Sequence, residues 1–165
     1  MNTEHKSNTP TEIRDLWQTP KFVFDYYDHR FNFTGDIAAS EQNALCDVYI
    51  DAESDALDDA QYWFARGWLN PPFSDITPWV EKAIDQMKYK ALTVMLLPAD
   101  TSVKWFKLAF DNCTECHFIS GRLSFINAET QKPVSGNNKG SVVFVFDPLS
   151  PVNQSVHLID RDSMK

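Results

Sequence analysis

Apolar and polar positions along this chain follow two different periods, and the switches between them mark out its elements. Residues 1–12 are polar and bounded by Pro10, which predicts a flexible tail. After Pro20, aromatic residues recur at helical spacing from Lys21 to His29 (Phe22, Tyr26 and His29, with Phe24 and Tyr27 between), predicting a short helix. FNFTGDIA alternates and reads as a strand ending near Asp36, ASEQNALC as a helical turn and DVYID as a further strand. The stretch from Asp58 to Ala65 fits no period. Gly67-Trp68-Leu69 then leads into Asn70-Pro71-Pro72-Phe73, whose paired prolines must stop any strand. Thr77-Pro78 predicts an N-cap with Pro at the first helical position, and Trp79, Val80, Ala83, Ile84 and Met87 share one face as far as about Lys90. ALTVMLLP is apolar without a break, as a strand buried on both faces requires. Ser102 to Phe110 predicts another helix, and CHFIS, RLSFI and SVVFVFD predict three strands, the last two separated by the polar NAETQKPVSGNNKG.

Strands alternating with helices and then a hairpin predict an α/β fold whose sheet is mostly parallel with an antiparallel end. Such sheets bind ligands at the carboxyl ends of their strands. Three segments follow strands and would converge on that edge: Asp36-Ile37-Ala38-Ala39-Ser40, Asp55-Ala56-Leu57 and Asn70-Pro71-Pro72-Phe73.

Composition narrows this further. The 165 residues and 18.9 kDa amount to one domain, and 43% hydrophobic residues suffice for a real core. A net charge of −8 argues against a protein that simply coats nucleic acid or an anionic membrane. The charge is uneven: residues 11–62 hold twelve carboxylates against three cations, whereas residues 104–146 hold five cations against three carboxylates. An acidic front suits a cationic small molecule and leaves the later part able to face a polyanion; solubility alone is the plain alternative. Three cysteines, a polar amino terminus and no apolar run near the ~20 residues of a membrane span predict a cytoplasmic protein without structural disulfides.

Asn70-Pro71-Pro72-Phe73 is the segment that carries chemistry. Proline fixes its own φ and pushes the preceding residue into extended geometry, so Asn70 and Pro71 form a stiff pair presenting the Asn70 side-chain oxygen and the Pro71 carbonyl together. Two adjacent acceptors suit an amino group on a planar ring: each takes one N–H, and drawing the hydrogens out of plane frees the nitrogen lone pair for attack. Phe73 would offer a face for the ring, worth roughly 1–3 kcal/mol per stacked base. The competing account is a proline-rich turn with Phe73 in the core.

These residues, taken with others in the same order, resemble the small phage-type DNA N-6-adenine methyltransferases (phage Dam). The shared elements are Trp17-Gln18-Thr19-Pro20, Asp36-Ile37-Ala38-Ala39-Ser40 with Asn43-Ala44, Asp55-Ala56-Leu57, Asn70 to Phe73, Leu97-Pro98-Ala99 with Trp105-Phe106, and Gly121-Arg122-Leu123 with Phe125. They span about Trp17 to Phe146. The resemblance implies a Rossmann-like class I fold over residues 13–165 that binds S-adenosylmethionine and moves its methyl to the exocyclic amino group of a flipped-out adenine in DNA. It implies Asn70, Pro71, Pro72 and Phe73 as catalytic residues. It implies Trp17, Thr19, Pro20, Asp36, Ala38, Ser40, Asp55 and Leu57 as cofactor contacts, with Asp36 pairing the ammonium and Asp55 hydrogen-bonding the adenosine. Two departures stand out: Phe73 replaces the commoner Tyr, and DIAAS replaces a glycine-rich loop.

For DNA contact, the possible hairpin at 121–141 offers Arg122, Lys132, Ser135, Asn137, Asn138 and Lys139 as backbone and base-edge donors. Asn-Pro-Pro motifs also serve enzymes that methylate protein glutamine, and a non-catalytic binding or counter-defence protein on the same fold is a further alternative. Cys113-Thr114-Glu115-Cys116-His117 spells a haem-attachment motif, but without an export signal it reads as a buried thiol pair beside His117. His5, His29 and His157 form no second cluster at metal-ligand spacing, so no metal is expected.

Overall fold

Seven residues, Leu92–Pro98, form the central strand β4, and their burial explains much of the rest. A computed structural model describes residues 17–127, 129–134 and 138–165. Around β4 lies a six-stranded sheet in the order β2 (Gly35–Asp36), β3 (Arg66–Leu69), β4, β7 (Ser141–Phe146), β5 (Glu115–Ser120) and β8 (Ser155–Asp160). A separate antiparallel pair joins β1 (Trp17–Gln18) to β6 (Ile126–Asn127). Three α-helices flank the sheet: α1 (Lys21–Phe31), α2 (Thr77–Gln86) and α3 (Lys104–Asn112). The architecture is mixed α/β.

Side chains along a strand point alternately to opposite faces, so a strand covered on both sides must be apolar at every position. Met95, Leu97, Val142, Phe144 and Leu69 join the core beneath α2 and α3. Val94, Leu96, Val143, Val145 and Trp68 join the core beneath α1, against Val23, Phe24 and Tyr27. Each such large side chain fully buried contributes about 1.5–3 kcal/mol. The unbroken apolar reading of ALTVMLLP and SVVFVF is this two-sided burial seen in sequence.

Strands β2, β3 and β4 are mutually parallel, and β5 and β8 are parallel to one another. Only β7 opposes its neighbours, being antiparallel to both β4 and β5. This corrects the expected antiparallel end: the reversed strand lies inside the sheet, and the edge beyond it is parallel. β5 and β7 are the hairpin partners, and residues 121–140 form the long excursion between them. RLSFI contributes only its last residue, Ile126, to the two-residue β6, whose partner β1 is equally short. DVYID contributes a single parallel bridge, Tyr49 to Asp36. β8 escapes a sequence reading because Val156, His157 and Leu158 are exposed and the strand has no continuous buried face.

α1 starts on Pro20 and ends at Asn32, whose left-handed φ of 52° reverses the chain; the Asp28 carboxylate accepts from the Phe33 N–H at 2.8 Å. α2 begins one residue earlier than its sequence suggests, with Ile76 at the cap position and Thr77 already helical. Its Gln86 side chain accepts from the Trp63 N–H, and the Trp63 indole donates to the Ala56 carbonyl at 2.9 Å. That chain of bonds holds the acidic loop around Asp55 in place. Among the described residues, no helix is long and apolar enough to cross a membrane.

Candidate active site

A cleft of about 510 Å³ opens at the carboxyl ends of β2 and β3, the edge where parallel sheets expose loop backbone to ligands. Its walls come from four stretches distant in sequence: Trp17–Thr19, Asp36–Ser40, Ile50–Ala56 and Trp68–Pro72, with Trp79 beside them. Register explains the convergence. Asp36 lies opposite Trp68 across the β2–β3 pair, and the Ile37 N–H donates to the Trp68 carbonyl at 2.9 Å. The motif segments therefore leave adjacent strands at the same level. Close approach is needed there: a Cβ on Gly67 would lie 2.5 Å from the Ile37 side chain.

Asn70 is the first residue beyond β3. Its Nδ2 donates to the Trp17 carbonyl at 3.4 Å, which orients the amide. Its Oδ1 is buried on the cleft wall with no hydrogen-bond partner. A buried acceptor left unmade costs about 1–3 kcal/mol, so this atom is a vacancy for an external N–H. Pro71 and Pro72 also line the cleft and stiffen the backbone behind it.

Asp36 is 4% exposed. Its oxygens accept from the Ala38 N–H at 3.4 Å and the Leu45 N–H at 3.1 Å. Burial nevertheless pushes its pKa up to about 6, against the opposing pull of those two backbone bonds. No cation among the described residues pairs with it. A buried carboxylate facing a cleft without a counter-ion suits a cationic ligand. The residues lining the same cleft include Trp17, Gln18 and Thr19, whose Nε1, Nε2 and Oγ1 atoms are buried and without partners. Polar atoms left open at this density, within an otherwise apolar cleft, fit a ligand with several donors and acceptors.

Of the residues expected at the cofactor, Trp17, Thr19, Asp36, Ala38, Ser40 and Asp55 line the cleft. Asp55 has a left-handed φ of 52° and accepts from the Leu57 N–H. Pro20 and Leu57 lie off the wall: Pro20 opens α1 and Leu57 closes the Asp55 turn. Phe73 is half-buried and also off the wall. It meets Phe125 edge-on at 5.9 Å, and Phe125 stacks on Trp17 at 5.6 Å.

The structure adds Asp51, which sequence reasoning passed over. Val48 and Ile50 exchange backbone bonds with Asp36 at 3.0 and 2.9 Å, so Tyr49 runs beside β2 and sets Asp51 at the same edge. The Ser54 N–H donates to its carboxylate and lowers its pKa, so it is ionised at neutral pH. The signal lay in DVYID: an acid at the end of a strand next to the first one.

The resemblance carried by the ordered set of motifs agrees with comparisons to known proteins. The family model for DNA N-6-adenine-methyltransferase (Dam) matches residues 6–165. A protein of Escherichia phage T1 named DNA N-6-adenine-methyltransferase is 41% identical over 178 aligned positions, covering 96% of this chain and 74% of its own. One of the same name from Haemophilus phage HP1 is 38% identical over 151 positions, covering 88% and 86%. The chain belongs to the Dam family.

In this Dam-family chain the residues expected to meet DNA stand apart from the cleft wall. β4 and β5 end at the same edge, and the excursion between β5 and β7 leaves from there. Arg122 is exposed at its start, its carbonyl accepting from Arg161 at 2.7 Å. Lys139 closes it, 3.5 Å from Asp100 beyond the end of β4. Lys132 and Asn138 are exposed between them, while Ser135 and Asn137 lie outside the described residues. The excursion is tied to the cleft by the β1–β6 pair, in which Gln18 lies opposite Ile126 and Trp17 opposite Asn127.

Proposed function

We propose that this protein transfers the methyl group of S-adenosylmethionine to the exocyclic amino group of adenine in DNA. The observation that carries the reading is the Asn70 Oδ1, a buried acceptor without a partner at the head of Asn-Pro-Pro on the cleft wall. Its family and the names of its phage relatives support the same reaction.

The residues present fit the cofactor. The partnerless Asp36 carboxylate suits its ammonium, the open polar atoms of Trp17–Thr19 suit its polar groups, and Asp51 and Asp55, which line the same cleft, would hold its ribose hydroxyls. When bound, the cofactor supplies an electrophilic methyl on a sulfonium. The chain's own part is to accept and to orient. The Asn70 Oδ1 and the Pro71 carbonyl take the two amino hydrogens of the base, which turns the nitrogen lone pair toward the methyl. The Trp17 carbonyl holds the amide of Asn70 in that pose. Positioning and fixed dipoles of this kind lower a barrier without a general base. An adenine within a duplex cannot reach the cleft, so it would be flipped out at a cost of a few kcal/mol. Phe73 would then turn its face to the base.

A five-to-one sheet, parallel except for β7, supports a Rossmann-like class I arrangement. The test is incubation with S-adenosylmethionine carrying a labelled methyl and unmethylated DNA, then digestion to nucleosides. Label in N6-methyldeoxyadenosine is the expected result. Label only in protein glutamine, or binding of the cofactor with no transfer, would overturn it.

A further inference from the structure

The Cys113–His117 segment, set aside above, acquires a partner from the sheet. β5 and β8 are parallel with His117 directly opposite His157, and Glu115, two residues earlier on β5, shares their face. Glu115, His117 and His157 each offer a ligand atom, all within 4.8 Å of one another. The distance already made, His117 Nε2 to Glu115 Oε1, is 3.0 Å. Two ligands of a tetrahedral zinc, bound at about 2.0–2.2 Å, stand about 3.3 Å apart. His157 is exposed, edge-on to the His117 ring at 5.1 Å, and its ring is tied only to Ser155 two residues before it.

We propose that Glu115, His117 and His157 form a binding site for one first-row divalent cation, zinc above all, on the α1 face of the β5–β8 edge. Two imidazoles and a carboxylate are a borderline-soft set that suits zinc better than magnesium or calcium. The outer groups are in place. The Tyr27 hydroxyl is 3.0 Å from His117 Nδ1 and stacks its ring on the imidazole at 5.7 Å, so it can accept Nδ1–H once Nε2 is given to the metal. That change of tautomer moves a proton from one ring nitrogen to the other and releases none from the imidazole. The remaining coordination position faces solvent on the exposed His157 side and takes water. The cysteines are not the ligands: Cys116 points into the core beneath α2 and α3, and burial raises the Cys113 and Cys116 thiols to about 12 and 11, keeping them protonated.

Arg30 is the competitor. It holds both Glu115 oxygens, at 2.8 and 2.6 Å, but its side chain is 53% exposed, so it can yield one of them to solvent. The site is therefore an exchange between a guanidinium and a metal ion, and affinity should rise when the guanidinium is removed. The bound cation would pin the carboxyl-terminal edge strand to β5 and α1.

The test uses the full chain stripped with EDTA and titrated with Zn²⁺ by calorimetry, with Co²⁺ as a spectroscopic substitute. One equivalent should bind, with a Co²⁺ spectrum lacking the thiolate charge-transfer band and with a raised Tm. His157→Ala, at an exposed position that leaves the fold intact, should weaken binding about tenfold or more. Arg30→Gln should tighten it, an effect no purely structural hydrogen-bond relay would give. No saturable binding, a thiolate band, or equal affinity in wild type and His157→Ala would overturn the proposal. The Asn70→Ala variant should bind zinc as wild type does, which separates this site from the methyl-transfer reading.

Discussion

At the scale of single residues, the cleft is a set of unmet demands. The fold holds Asp36 in a place where its charge is poorly solvated and the Asn70 oxygen where it has no donor. For Asp36 the sign is definite. Its folded pKa of about 6 lies above that of an unfolded aspartate, about 3.9. The protonated folded form is thus favoured at low pH, and as pH rises from about 4 through about 6 the ligand-free fold loses stability on the order of 3 kcal/mol. A cationic ligand beside the carboxylate restores it. The thermal stabilisation produced by saturating S-adenosylmethionine should grow between pH 5 and pH 7, as read by differential scanning fluorimetry. A shift independent of pH would disconnect Asp36 from the cofactor's charge. The positions of Asp36 and Asn70 on the cleft were legible in the sequence because Asp36 ends β2 and Asn70 follows β3, each within an ordered motif. Asp51 and Gln18 were not, since their place on the cleft depends on which short segment lies beside β2 and β6.

At the scale of elements, the tie between α1 and β5 is the clearest case of tertiary chemistry acting on local structure. Arg30, in the last turn of α1, grips Glu115 at the start of β5, and its hydrogen bonds hold the Glu115 carboxyl down to about 2. The folded pKa is depressed, so the stability it brings is fully present above about 4.5 and is lost as pH falls toward about 2. Glu115→Gln should cost about 1–2 kcal/mol at pH 7, discounted for the half-exposed guanidinium, and the difference from wild type should shrink by pH 3. Urea melts at the two pH values measure it; a constant difference would mean that packing and not charge links the elements. The periodic α2 and the unbroken apolar runs of β4 and β7 could be read because their burial is imposed along their whole length. Two-residue strands carry no period, and β8 hides because its outward residues Val156 and Leu158 are apolar yet exposed. The same register that sequence could not supply is what sets His157 opposite His117.

At the scale of the whole molecule, the question is how a chain of net charge −8 engages a polyanion. The cations proposed to meet DNA are few: Arg122, Lys132 and Lys139 on the excursion that leaves the carboxyl edge of the sheet. Each phosphate neutralised contributes about −0.9 to the slope of log affinity against log salt, so a slope near −3 is expected, and Lys132→Ala should reduce it by about 1. Fluorescence anisotropy with duplex DNA across a salt series reads both values; a slope unmoved by the substitution would remove this surface from the interface. The β1–β6 pair joins the excursion to the Trp17–Gln18 segment that walls the cleft, so the proposed DNA-facing residues Arg122 and Lys132 flank a strand paired to the proposed cofactor-facing one. The proposed methyl transfer rests on Asn70. The most direct measurement is single-turnover methyl transfer to DNA by wild type and Asn70→Ala, with S-adenosylmethionine affinity determined by calorimetry on both. N6-methyldeoxyadenosine formed by the wild type and lost in the variant, with cofactor affinity kept within about threefold (under 1 kcal/mol), is the expected result. Transfer by Asn70→Ala at the wild-type rate would contradict the role given to its side-chain oxygen.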